Sequence, residues 1–205
     1  MSGSTRTAGL QHDALFYDDD RTLASAAVSF VREGVERGEQ VFVAFDQHPV
    51  QPLLTAVFRG EPGVVFTHRD RDSRPVQLLD QYQRTMDDGL RRGARRFRAI
   101  GYLDLAGSDL EWAEWLRYEA AFVGLADYPL HALCTWDTRK VTPQQAAAFR
   151  SAHPCLVGED GPRPNPEYVD PVELVGRPEH RPSPDPAQQG RPHFENVVGP
   201  DLRHL

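Results

Sequence analysis

Lysine is almost absent from this chain: Lys140 is the only one, and arginine carries nearly all of the positive charge. Acidic residues still prevail, 30 Asp and Glu against 23 Lys and Arg, for a formal net charge of -7. Without a basic surplus there is no general electrostatic attraction to nucleic acid or to an anionic membrane, so neither is an expected direct partner. Cysteine occurs twice, at Cys134 and Cys155, which excludes a disulfide framework. No run approaches the roughly 20 apolar residues of a membrane span, and the N-terminus carries no apolar signal core. A cytoplasmic, soluble protein is the expectation. The one local basic cluster, Arg91, Arg92, Arg95, Arg96 and Arg98, reads as the solvated C-terminus of a helix, where cations favour the helix dipole.

The common nucleotide and nucleophile motifs are missing too. There is no G-x-x-x-x-G-K-[ST], no G-x-G-x-x-G and no G-x-S-x-G. The first strand-to-helix turn instead carries Asp18, Asp19 and Asp20. Phosphate loops work by presenting backbone N–H groups and a helix N-terminus to an anion. Carboxylates there repel it, so no nucleotide cofactor is expected. Their simplest role is helix capping, with Asp20 or Thr22 as the expected cap.

What is present is an alternation of short apolar runs and amphipathic stretches. Strands are expected at 12–17, 40–45, 63–67, 97–103, 130–136 and 155–157. Helices are expected from about 20 to 37, from 48 to 59, and at 75–92, 109–125 and 143–152. Gly38 and Gly93 stand where C-terminal caps belong. Strands alternating with helices predict an α/β fold of three layers, a mostly parallel sheet with helices on both faces. The domain spans 12–158, after a flexible N-terminal arm at 1–11. Residues 159–175 keep enough apolar side chains to dock on it, and the Pro-rich 176–205 has the composition of disorder.

Three chemistries suggest themselves. His131, Cys134, His153 and Cys155 offer zinc-ligand types, but strand alternation sends His131 and Cys134 to opposite faces, so no metal is expected from this set. Cys134 and His153 form the only candidate nucleophile pair, without an identifiable orienting residue, so an enzyme is not expected. The third is a ligand crevice at the carboxyl ends of the strands, between the first and fifth. Tyr17, Asp18, Asp46, Tyr102, Asp104, Trp136 and Asp137 all fall at such ends. Aromatics mixed with carboxylates suit a small uncharged or cationic organic ligand.

Five segments stand out in order: "HDALFYDDD" (12–20), "FVREGVERGEQVFVAF" (30–45), "EWLRYEAAF" (114–122), "LCTWDTRKVTP" (133–143) and "HP" (153–154). Together they resemble the MEDS sensory domain, named for methanogens, methylotrophs and the dichloromethane-responsive repressor, and "NPEYVDPVELV" (165–175) resembles a segment that closes many actinobacterial versions. The resemblance implies a RecA/KaiC-like core that has lost its phosphate loop, and a sensory role toward small organic compounds such as hydrocarbon derivatives. The family's characteristic positions fall on His12, Tyr17, Glu119, Cys134, Trp136, Asp137, His153 and Pro154. Trp136 replaces the usual Tyr, Gly101-Tyr102 replaces a Gly-Glu pair, and Val123 replaces Asn. On this reading Glu119 and Asp137 fix polar groups of the ligand, and Tyr17 and Trp136 wall it. Neither kinase boxes nor a helix-turn-helix follows, so output is expected through a regulatory protein partner or homo-oligomerisation. The alternative is a protein-interaction adaptor, in sigma-factor or kinase signalling, with a vestigial pocket; after it comes a metal-binding protein or enzyme dependent on Cys134 and His153.

Overall fold

A computed structural model describes residues 9–45, 48–67, 75–104 and 109–177. The arm before residue 9, Asp46 and the tail from residue 178 lie outside the described residues. Strands β1 (Gln11–Tyr17), β2 (Gln40–Ala44), β3 (Val64–Phe66), β4 (Phe97–Tyr102), β5 (Leu130–Asp137), β6 (Cys155–Gly158) and β7 (Gly161–Pro164) make one sheet in the order β3-β2-β4-β5-β1-β6-β7. The first six run parallel, and β7 returns antiparallel to β6. The helices are α1 (Asp20–Glu36), α2 (Gln51–Phe58), α3 (Pro75–Arg91), α4 (Asp109–Ala121), α5 (Pro143–Ser151) and α6 (Pro171–Gly176). A 3-10 turn, Phe122–Leu125, extends α4.

The sheet separates two apolar cores. Leu23, Ala27, Phe30 and Val31 of α1 recur at helical spacing and pack with Leu54 and Phe58 of α2 against Leu15, Val41, Val43 and Leu133. On the opposite face Met86 of α3, Trp115 and Leu116 of α4, Phe149 of α5 and Leu174 of α6 meet Ala14, Phe42, Ala132 and Trp136. Strand alternation does the sorting, since successive residues face opposite layers. Helix α1 lies close on the sheet at Gly34, where a Cβ would stand 2.7 Å from Val41 Cγ2. It ends at Gly38, whose φ of +66° is the left-handed conformation a C-terminal cap needs.

Three expectations change. The cap of α1 is Asp19: its carboxylate accepts from the Thr22 N–H at 2.8 Å and from the Thr22 hydroxyl at 2.6 Å. Arg98 does not belong to a solvated helix end. It sits on β4, 2% exposed, ion-paired with Glu39 and, at 2.8 Å, with Glu33. Tyr17 and Trp136 do not wall one crevice: β1 and β5 are paired from Gln11↔His131 to Tyr17↔Asp137, and Tyr17 faces the α1–α2 core while Trp136 faces the opposite one.

Candidate functional site

Parity along β1 and β5 sends His12 and Cys134 to the α4 face, two register steps apart on adjacent strands. There they meet Glu119, three residues before the 3-10 turn, and His153, two residues past α5. The His12 Nε2 lies 3.1 Å from Glu119 Oε2 and 3.3 Å from Cys134 Sγ. The His153 Nε2 lies 3.1 Å from the same carboxylate oxygen, at ion-pair distance but off the direction of a hydrogen bond. All four donor atoms lie within 4.8 Å of one another. His12, Glu119 and His153 are buried, and Cys134 is half-buried. The His12 ring stacks on Phe122 at 4.5 Å and leans on His153 at 4.2 Å, which fixes its plane.

Burial sets the ionisation here. Desolvation, aided by the neighbouring His153, pushes His12 below the ordinary imidazole value. Burial alone would raise Glu119, but the two imidazoles outweigh it and hold the carboxyl at about 2. Desolvation pushes the Cys134 thiol well up, and the Glu119 charge adds to it.

Between the sheet and helices α3 and α4 lies a cavity of about 360 Å³. Phe42, Tyr82, Tyr118, Phe122 and Trp136 supply its rings; Glu119 and Cys134 carry the buried cluster into its wall; Tyr102 and Asp104 lie at its strand-end side. Trp136 stacks on Phe149 at 3.8 Å. Its Nε1 and the Glu119 Oε1 are buried without a hydrogen-bond partner. The aromatic pair Tyr118 and Phe122, at i and i+4 around Glu119, was the sequence signal for this wall.

The other expected site residues lie across the sheet. Tyr17 belongs to the α1–α2 core, and its hydroxyl lies 3.2 Å from His48 Nε2. The Val50 N–H donates to His48 Nδ1, so the ring proton sits on Nε2 and points at the Tyr17 oxygen. Burial, then the nearby Asp137, raise the Tyr17 hydroxyl above its ordinary value. Asp137 accepts from Arg139 at 2.7 and 2.8 Å, which lowers its carboxyl, and Arg139 also reaches Asp20 at 2.6 Å. The turns after β1 and β5 are thus tied together. His131 bonds Asp13 at 2.9 Å on this same face, and Cys155 lies outside the cluster. A single crevice walled by Tyr17 and Trp136 therefore does not form. His12, Glu119, Cys134, Trp136 and His153 converge on one face; Tyr17 and Asp137 lie on the other.

The fold and site together define a three-layer α/β domain whose buried polar cluster adjoins an aromatic cavity. The family model of the MEthanogen/methylotroph, DcmR Sensory domain, MEDS, matches residues 11–154, and the chain belongs to that family. Its role is accordingly sensory or regulatory. No curated protein matches the chain. Among solved structures, EssC (ATPases 2 and 3) from Geobacillus thermodenitrificans is similar at 8% identity and a TM-score of 0.39, over 87% of this chain and 36% of that one. Among the described residues no helix is long and apolar enough to cross a membrane.

Proposed function

We propose that this domain senses a small, uncharged organic molecule held in the cavity between the sheet and helices α3 and α4. The observation that carries the reading is the pair of orphaned polar atoms on cavity-lining side chains, Trp136 Nε1 and Glu119 Oε1. Each buried, unpaired group costs about 1–3 kcal/mol, so a ligand that satisfies it gains that much over an apolar one. Trp136 offers a donor and Glu119 an acceptor. The ligand this fits has an aromatic or aliphatic body with both an acceptor and a hydroxyl or amine hydrogen, such as an oxygenated hydrocarbon derivative. At about 360 Å³ the cavity is near the lower end of the roughly 300–1,000 Å³ of small-molecule sites.

The same reading accounts for the turn after β1. Asp19 caps α1 and Asp20 binds Arg139, which accords with a RecA-like core that no longer holds phosphate. Occupation of the cavity would brace α4 against the sheet and shift the population of conformations a partner protein or a second copy reads.

Thermal unfolding with a panel of small alcohols, ketones and phenols tests the proposal. At least one compound raises the midpoint of the wild-type protein. Trp136→Phe, which keeps the ring and deletes the N–H, loses most of that rise, and Ala99→Leu, which fills the cavity, abolishes it. A panel that leaves the wild type unmoved, or moves all three proteins equally, overturns the proposal.

A further inference from the structure

We propose that His12, Glu119, Cys134 and His153 bind one zinc-class divalent cation in the wall of the cavity. This holds whether or not an organic molecule occupies the cavity itself.

His153 fixes the chemistry. Its Nδ1 lies 2.7 Å from the Phe149 carbonyl oxygen, which only accepts, so Nδ1 carries the ring proton. In the neutral ring Nε2 is then a bare lone pair, and it faces Glu119 Oε2 at 3.1 Å. A lone pair against a carboxylate repels unless positive charge joins them, either a proton on Nε2 or a metal ion, and Nε2 is fully buried and off the direction of a hydrogen bond to the carboxylate. A cation between the two supplies that charge. Donation of Nδ1–H to a backbone carbonyl is also the arrangement that orients metal-bound histidines.

The remaining ligands fit. In a tetrahedral zinc site, bonds of about 2.0–2.3 Å set donor atoms roughly 3.3–3.8 Å apart. Three separations here are 3.1, 3.1 and 3.3 Å, and the widest does not exceed 4.8 Å. Side-chain adjustment of about 1 Å closes the set. One thiolate and one carboxylate cancel the charge of a dication, and two imidazoles with a thiolate select zinc or cobalt over magnesium or calcium. On binding, the Cys134 thiol releases its proton to solvent as the metal–sulfur bond forms, and His12 carries its ring proton on Nδ1.

The full-length chain, stripped with a chelator and titrated with cobalt(II), gives the test. One equivalent is taken up, with sulfur-to-cobalt charge transfer in the near ultraviolet and tetrahedral d–d bands in the visible. Cys134→Ser loses the charge-transfer band and weakens uptake by about 100-fold or more, beyond the 10–100-fold typical of outer-shell changes; Cys155→Ser keeps both. X-ray absorption of the zinc-loaded wild type needs no variant, and shows one sulfur and three lighter neighbours. Folded wild-type protein that takes up no cobalt, a zinc shell without sulfur, or a charge-transfer band that survives Cys134→Ser overturns the proposal. The first result would mean that a proton on His153 Nε2 joins it to Glu119 instead.

Discussion

Each side chain of the buried cluster is held by a partner that narrows what it can do. The Phe149 carbonyl sets the tautomer of His153, and Phe122 sets the plane of His12. The depressed value of His12 has a consequence for stability. A histidine whose folded pKa lies below its unfolded 6.5 binds protons more readily in the unfolded chain. Its contribution is full above that value and is lost as pH falls through the folded one. Glu119 acts in the same direction further down, between its ordinary 4.5 and about 2. Urea midpoints of the chelator-stripped protein at about pH 7.5 and about pH 5.5 check this. The wild type is less stable at the lower pH, and His12→Gln shrinks the difference; an unchanged difference in the variant contradicts the assignment. Across the sheet, Tyr17→Phe removes one hydrogen bond to His48, costs about 1 kcal/mol, and leaves any ligand response intact. A response lost as fully as in Trp136→Phe would place the ligand on the Tyr17 face.

The β6–β7 hairpin acts on the site from a distance. Asn165, just past β7, is buried and donates to the carbonyls of Arg150 at 2.8 Å and His153 at 2.9 Å, while its own carbonyl accepts from the Glu167 N–H at 3.0 Å. The segment after α5 that carries His153 is thereby clamped. Asn165→Ala takes the side-chain donor from the His153 carbonyl, while the Arg150 carbonyl keeps the His153 N–H at 3.2 Å; it lowers unfolding free energy by about 1–3 kcal/mol, read as a shifted urea midpoint at unchanged slope. A change below measurement error would mean that the hairpin does not hold His153. This hairpin was hard to read in the sequence, because "GPRP" breaks every strand preference; Pro162 and Pro164 are tolerated only because β7 is an edge strand. The other elements were legible because apolar period and capping residues agreed, as at Gly38 and at Thr142, whose capping box with Gln145 opens α5. The division of site residues between faces was legible in part. His12 and Tyr17 are five apart on one strand, an odd step, and so cannot share a face. That His12 meets Cys134 could not be read, because it requires the β1–β5 register.

At the scale of the molecule, the sheet divides the labour. The α1–α2 face is braced by charge, with Arg98 locked between Glu33 and Glu39 and with Arg139 joining Asp20 to Asp137. The α3–α5 face holds the cavity, its rings and the polar cluster. The family is sensory and this face carries the aromatic cavity, so the proposal places the ligand there, with occupied and vacant states that differ in how α4 packs on the sheet. The most direct test is a crystal structure of the protein with a compound that raises its thermal midpoint. The compound is expected between the sheet and α4, with its polar atoms within hydrogen-bond distance of Trp136 Nε1 or Glu119 Oε1. A compound bound instead on the Tyr17 and Asp137 face, or touching neither of those two atoms, would contradict it.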